Sequence, residues 1–401
     1  MSKSIRTAII IGGGISGPVA AAALHRAGIE ARVYEAYPGP AYGIGSNLAL
    51  APNGMAALEI VGAADGVRAN ALPLARQTMS VGKKLIDLPG LVGVEPLRQV
   101  DRPDLHQVLH DTAAAAGVQF EYNKRLVSVD ENADSVTAVF ADGSTATADV
   151  LIGADGIRST VRTLVDPNAP GPTYLGMLGF GAYTDCSFDV PPDSMTFAFG
   201  KRAYYLYWAM PDGTVAWGAN LPQEKYLSLT EARSVPAEHW LRILRETYAD
   251  DTPGAELARN TTAEQLITVG ALHIMPSVPH WYRGRMVLIG DAIHAPSNTS
   301  GQGASMAIES AVELARCLRD IPDPETAFAT YEAMRRPRVE AVAARVARMN
   351  SHKAAGPIAR AAMQVMMPIM FKKMNPEKLY GHEQRFRIDF DAPVQPVHAN
   401  A

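Results

Sequence analysis

Only two cysteines, Cys186 and Cys317, occur in 401 residues. Two thiols cannot frame a disulfide-stapled fold, and such scarcity suits a reducing compartment. Charge of one sign is also missing. Lys and Arg number 37 against 41 Asp and Glu, a net of -4, which offers nothing to nucleic acid. No long apolar run is present either. The stretch AAMQVMMPIMF (Ala361 to Phe371) carries a proline and is too short to span a bilayer. At the other end, Lys3 and Arg6 lead into TAIIIGGGISG, which turns to glycine after five residues. That is a buried strand and not a secretory signal, so a cytoplasmic protein is expected.

What is present is an ordinary globular composition, 47% hydrophobic and 19% charged, on a chain long enough for two lobes. Strand, glycine loop, helix and strand follow one another from Ala8 to Ala36, a βαβ start that implies a parallel sheet. Gly28 is placed to cap the helix left-handed. Gln77 to Leu88 reads as a hairpin outside that sheet, Arg102 to Gly117 as a helix, and Val118 to Gly153 as a meander returning to a buried strand. Tyr174 to Pro222 is aromatic and strand-like, the antiparallel sheet of a second lobe. The fold class expected is α/β, a Rossmann-like domain interleaved with an antiparallel-sheet domain and followed by C-terminal helices. The boundaries read as 1–72, 97–173 and 278–340 for the first domain, 73–96 and 174–277 for the sheet domain, and 341–401 for the helical end. From Asp391 onward disorder is expected.

Three segments carry chemistry. In GGGISG, Gly12, Gly14 and Gly17 keep the order G-x-G-x-x-G between a strand and a helix, with Glu35 ending the next strand, 23 positions after Gly12. Glycines permit the tight turn and a close backbone approach to pyrophosphate. The helix N-terminus, with Ile15 and Ser16, offers free N–H groups, and the acid suits a ribose. In DVLIGADGIRSTVR (Asp149 to Arg162), Asp155 either caps a helix or, with Arg158 and Arg162, grips a nucleotide. In LIGDAIHAPSNTSGQGAS, a strand ends at Gly290-Asp291 and a glycine-rich turn, Gly301, Gln302, Gly303 and Ala304, opens a helix. No second G-x-G-x-x-G exists, so the first must hold a permanently bound dinucleotide.

Together these motifs, with RPDL at Arg102 and YEAMRRPR at Tyr331 to Arg338, resemble the class A flavoprotein monooxygenases, FAD-dependent aromatic hydroxylases with the p-hydroxybenzoate hydroxylase fold. The resemblance spans nearly the whole chain. It implies FAD as cofactor, with NADPH or NADH as transient electron donor, and O2 transferred through a flavin C4a-(hydro)peroxide to an aromatic or polyketide-like substrate. It implies that Glu35 and the glycine loop hold the adenosine half. Arg102 then lies by the pyrophosphate and ribityl chain, Asp155 in a site shared by FAD and NAD(P)H, and Asp291 on the ribityl hydroxyls. Gly45, Asn47 and Leu48 approach the ring, Val127 adds a further cofactor contact, and the Gly301–Ala304 helix start stabilises negative charge at the pyrimidine edge. Departures from the family pattern are Ser297, where a proline is frequent (here the proline is Pro296), Asn298 in place of a second proline, and Ser305 where asparagine is common.

Candidate substrate contacts are Tyr183, Arg202, Tyr205, Tyr207, Pro296 and Ser297, with Tyr205, Tyr207 and Ser297 placed nearest the chemistry; each tyrosine also has the plain reading of sheet packing. Tyr205 and Tyr207, two apart, share a face. His294 reads as structural, RRPR (Arg335 to Arg338) as surface salt bridging, and Met363, Met366, Met367, Met370 and Met374 as core or dimer contact. A monomer or homodimer is expected. Rival readings are Baeyer–Villiger oxidation, epoxidation or double-bond reduction on the same fold, and a flavin-containing binder without turnover.

Overall fold

A computed structural model describes residues 4–40, 47–81, 84–297, 301–351, 366 and 375–397. Gly45, Asn298 and Thr299 lie outside these residues, as do four of the five clustered methionines (Met363, Met367, Met370 and Met374).

The first lobe is built on a six-stranded sheet in the order Tyr282–Arg283, Met286–Leu288, Val150–Gly153, Thr7–Ile11, Glu30–Tyr34, Gln119–Glu121. Every pairing is parallel except that of Tyr282–Arg283. Its strands read as continuous apolar runs because both faces are covered; Ile9, Ile10, Val150, Leu151 and Val287 are all buried. The helix Ser16–Arg26 packs against the sheet and against the helix Gly303–Asp320. It ends as expected: Gly28 takes φ +78° and Ile29 N–H returns to Leu24 C=O.

A second sheet has seven strands, in the order Ile267–Ile274, Thr173–Thr184, Val215–Pro222, Tyr204–Ala209, Ser194–Phe199, Arg76–Val81, Lys84–Asp87. The hairpin expected outside the parallel sheet joins here, its strand Arg76–Val81 running parallel to Ser194–Phe199. One face is covered by the helices Leu229–Ser234, Ala237–Tyr248 and Gly254–Asn260. Between the lobes lies a small sheet of Asn47–Leu50, Leu97–Asp101 and Ala71–Leu74, whose Leu72, Leu74 and Leu97 pack on the other face of the seven-stranded sheet.

Two expectations are corrected. The chain after Asp391 is docked through residue 397. Phe390 is buried between the guanidiniums of Arg26 and Arg319, 4.7 and 5.1 Å from its ring centre, and Val394 N–H bonds Asp320. The RRPR arginines are not all on the surface: within the helix Pro324–Ser351, Arg335 and Arg338 are buried, and both pair with the fully buried Glu309. Only Arg336 makes the surface i, i+4 pairs expected of it, with Glu332 and Glu340.

Candidate active site

The three motif strands are neighbours in the first sheet: Thr7–Ile11 lies beside Val150–Gly153, and that beside Met286–Leu288. Their carboxyl ends therefore deliver Gly12, Asp155 and Asp291 to one edge, where ligands of open α/β sheets bind.

The glycine loop is built around two close approaches. Gly12 takes φ +106°, and a Cβ on it would lie 2.5 Å from Ala154 O. A Cβ on Gly17 would lie 1.9 Å from Gly12 O, so only glycine lets the helix start against the loop. Around Gly14 a Cβ would meet nothing within 4 Å, leaving the loop open on that side. Glu35 closes the loop from behind. One carboxylate oxygen accepts Gly13 N–H at 2.7 Å and the other accepts Tyr37 N–H at 3.0 Å.

Asp155 does what the capping alternative requires. Its oxygens accept the Ser159 hydroxyl at 2.5 Å and the N–H groups of Thr160 and Val161 at 2.7 and 3.1 Å, which satisfies the helix Thr160–Val165. Arg162 then ties this motif to the third. It is buried, and it donates to Ala292 C=O at 3.0 Å and Ile157 C=O at 2.9 Å. Arg158 turns outward to Tyr226 Oη at 2.7 Å.

Asp291 differs from both other acids. It is partly buried, and among the described residues its carboxylate accepts no hydrogen bond. Burial pushes its pKa above the usual carboxylate range, opposed by the positive charge of Arg102. Burial, helped by the same arginine, holds His106 down to about 4. An unpartnered acid beside a cation and an open glycine loop suits a ligand that supplies hydroxyl donors.

The helix Gly303–Asp320 is seated by a buried polar chain. Asn53 Nδ2 donates to Gln302 Oε1 at 3.0 Å and to Glu309 Oε1 at 2.7 Å. Glu309 is paired in turn with Arg335 and Arg338, each at 2.8 Å, and its pKa is lowered by them against the effect of burial. Ser305, where the family favours asparagine, accepts Ala51 N–H at 3.0 Å, and Gly54 lies so close that a Cβ there would sit 2.5 Å from its hydroxyl. The small side chain thus lets the helix Pro52–Ile60 approach. His294 is buried, meets Ser310 Oγ at 3.2 Å and has its pKa pushed down to about 3 by burial and Arg335, so it stays neutral. Ala304 packs on the core, and Pro296 lies 3.9 Å from the Cβ position of Gly303; Ser297 is buried nearby in sequence.

The remaining sequence candidates divide. Asn47 and Leu48 are on the small sheet, paired in register with Asp101 and Val100 beside Arg102. Tyr183 donates to Asp101 at 3.1 Å and receives from Asn47, while burial and Asp101 raise its pKa. Tyr205 and Tyr207 do share a face, but it is the helix-covered one: Tyr205 Oη accepts Gly254 N–H at 3.2 Å, and both rings sit in the cluster with Trp217, Tyr248 and Leu257. Arg202 donates to Glu246 C=O and Asp250 at the end of the helix Ala237–Tyr248. Val127 is 51% exposed on the meander strand Leu126–Glu131. Sequence reasoning missed Asn53 and Glu309; an acid within the wholly buried run Ser305–Leu318 was the available sign, since it requires a buried cation.

The cradle fits FAD: a loop open at Gly14, a helix N-terminus for phosphate and an unpartnered acid for the ribityl chain. Comparison with known proteins agrees. The model of the FAD binding domain family matches residues 6–346. The chain belongs to that family. It is 31% identical over 371 residues to the 3-amino-4-hydroxybenzoate 2-monooxygenase of Streptomyces cremeus, covering 87% of this chain and 88% of the relative. Identity to the 6-hydroxynicotinate 3-monooxygenase of Pseudomonas fluorescens is 30% over 369 residues, 85% and 90% of the two chains. The crystal structure of Klebsiella pneumoniae HpxO complexed with FAD and uric acid superposes with a TM-score of 0.80 at 25% identity, over 95% of this chain and 96% of that one. This FAD-dependent monooxygenase is an oxidoreductase using NAD(P)H and O2. Among its described residues no helix is long and apolar enough to cross a membrane, and no group of three His, Cys, Asp or Glu is placed to hold a metal.

Proposed function

We propose that this monooxygenase hydroxylates a small or medium planar aromatic compound, with polyketide-like rings in the same range, on the face where the small sheet meets the seven-stranded one. The observation that carries the reading is Asp291, whose carboxylate accepts no hydrogen bond among the described residues, at the strand edge shared by all three motifs. When bound, FAD supplies hydride acceptance from the nicotinamide and activation of O2. The chain supplies position and electrostatics. Gly12, Gly14, Ile15, Ser16 and Gly17 bind the pyrophosphate, Glu35 shapes the loop for the ribose, and Asp291 with Arg102 binds the ribityl chain. Asn47, Leu48 and Gly301 to Ala304 flank the ring, the latter with the positive end of a helix dipole.

Asp155 acts by holding the second motif in shape, with Arg162 as its link to Ala292 C=O. Tyr183, kept as a neutral phenol, joins the sheet to the cofactor side through Asp101; Pro296 and Ser297 line the same region, and Val127 contributes at most backbone to the adenosine half. Tyr205, Tyr207 and Arg202 act from behind the sheet, fixing its curvature and not touching substrate. Three-part division of the chain at 1–72, 97–173 and 278–340, 73–96 and 174–277, and 341–401 accompanies this reading, as do a cytoplasmic location and a monomeric or homodimeric state. The relatives' names support the substrate class, since aminohydroxybenzoate, hydroxynicotinate and uric acid are all electron-rich planar rings. The test is NAD(P)H oxidation by the yellow holoenzyme with a panel of such rings under 18O2. Substrate-stimulated oxidation with one 18O in product is expected. Stimulated oxidation that yields a reduced, unlabelled product would replace hydroxylation by reduction.

A further inference from the structure

We propose that Asn220 selects the substrate, and that it selects a neutral planar ring presenting an adjacent N–H and C=O, a cyclic amide of the hydroxypyridone or hydroxyquinolone kind. The inference rests on the aromatic-substrate reading above and narrows it.

Strand alternation places the residue. On Val215–Pro222, Val215, Trp217, Ala219 and Leu221 belong to the helix-covered cluster, so Ala216, Gly218 and Asn220 face the other way. In register across the neighbouring strands, Asn220 pairs with Gly179, Gly218 with Gly181 and Leu206, and Ala216 with Tyr183 and Trp208. Trp208 and Ala216 pack there with Leu74, and Tyr183 and Leu206 lie against them. This is the face whose Tyr183 reaches Asp101, next to Arg102.

Among the described residues the middle of that face is floored by glycine. Among the described residues a Cβ at Gly181 would meet only Trp217 O, at 3.7 Å, and the nearest atoms to one at Gly218 would be Leu206 Cδ2 and Phe180 O, at 3.6 and 3.7 Å. Two adjacent strands thus leave a floor of backbone between Tyr183 at one end and Asn220 at the other. Four residues of strand separate the two rows, about 13 Å, enough for a flat bicyclic ring.

Asn220 is 9% exposed, and among the described residues its side chain makes no hydrogen bond to protein. Its amide atoms are not among the sealed polar atoms of the described residues and so still reach solvent, where a ligand can meet them. The amide offers two N–H donors and one acceptor in a plane, and the complement is a ring edge bearing C=O beside N–H. A charged ring is less suited. By the same alternation, no Lys or Arg stands on this face of the strands Thr173–Thr184, Ser194–Phe199, Tyr204–Ala209 and Val215–Pro222, and Arg202 is committed to Asp250.

The experiment titrates holoenzyme, without NAD(P)H, and follows the flavin absorbance. The probes are 6-hydroxyquinolin-2-one, 2,6-dihydroxynaphthalene as the same shape lacking the ring amide, and 4-hydroxybenzoate. The quinolone is expected to bind tighter than the naphthalenediol by roughly tenfold or more, because a polar site left unpaired rejects the analogue lacking the polar edge. Asn220→Leu should remove that difference by weakening the quinolone alone, with flavin content unchanged. Asn220→Asp, an isostere without the two donors, should weaken the quinolone as well and serves if the leucine variant does not fold. Equal binding of the two bicycles by the unsubstituted enzyme, preference for the benzoate, absence of binding by all three, or an unchanged quinolone affinity in the variants would each overturn the assignment. Since no reductant is present, a reductase with amide selectivity would pass this test and fail the 18O test, so the two readings fall separately.

Discussion

Asp291→Asn should move cofactor affinity and apoprotein stability in opposite directions. In the protein the carboxylate feels the charge of Arg102 but has no hydrogen-bond donor among the described residues, and burial raises its pKa. A raised carboxyl pKa means that the native state holds the proton more tightly than the unfolded chain. The apoprotein is therefore favoured at low pH, and that advantage is lost as pH rises through the raised range. Asparagine removes the charge at constant shape. At pH 7 the apo variant should gain ~1–2 kcal/mol, the order of an unsatisfied polar group, and melt a few degrees higher. With FAD the sign reverses: a charge-assisted bond to a ribityl hydroxyl is worth ~1.5–3 kcal/mol, so the Kd should rise roughly 10- to 150-fold. Scanning fluorimetry of apo and reconstituted protein, with a flavin-fluorescence titration, measures both. An apo variant less stable than its parent, with FAD affinity unchanged, would make Asp291 a structural acid and refute the reasoning.

Other expectations follow from single contacts. Gly17→Ala places a Cβ 1.9 Å from Gly12 O; the helix must retreat, and the purified variant should be colourless or lose flavin on gel filtration. Glu309→Gln leaves the buried Arg335 and Arg338 without a counter-charge, a loss of ~3–5 kcal/mol that urea denaturation should show at pH 7. His294, held near 3 in the fold, must gain a proton on unfolding below pH 6.5. Its contribution is present above that pH and diminishes by about 2 kcal/mol by pH 5, a slope that stability-versus-pH curves of His294→Asn should lack. Phe390→Ala removes the ring held by Arg26 and Arg319 and should cost ~3 kcal/mol, with faster proteolysis of the C-terminal end.

What could be read from sequence were the features whose cause is local. Each motif strand is an apolar run broken by glycine and an acid, and the sheet rule places such breaks at a ligand-binding edge, so Gly12, Asp155 and Asp291 were expected in one place and lie there. Asp155 shows the limit of that legibility. The same residues permit a helix cap or a ligand contact, and only the positions of Ser159, Thr160 and Val161 show that the cap is made. The docked C-terminal end was illegible for another reason: Phe390 is gripped by arginines 71 and 364 positions away, and no local pattern announces such partners. Glu309 and the RRPR arginines were each visible, but their pairing required knowing that two helices meet.

The substrate sheet makes the same point more sharply. Alternation assigns Tyr205 and Tyr207 to one face and Leu206 and Trp208 to the other, yet period two is silent about which face meets helices and which meets cofactor. The helix Ala237–Tyr248 breaks the tie. Its Trp240, Leu241, Leu244 and Tyr248 form a buried stripe at helical spacing, and a stripe of that width requires a broad apolar partner. Tyr205, Tyr207, Trp217 and Phe180 provide one, which commits these four aromatics to the back of the sheet. The front then inherits Gly181, Gly218 and Asn220 by parity alone. Where bulk is spent on holding helices, the middle of the other face is left to glycine, and a glycine floor ending in one amide is better suited to receiving a flat ring than a wall of tyrosines would be.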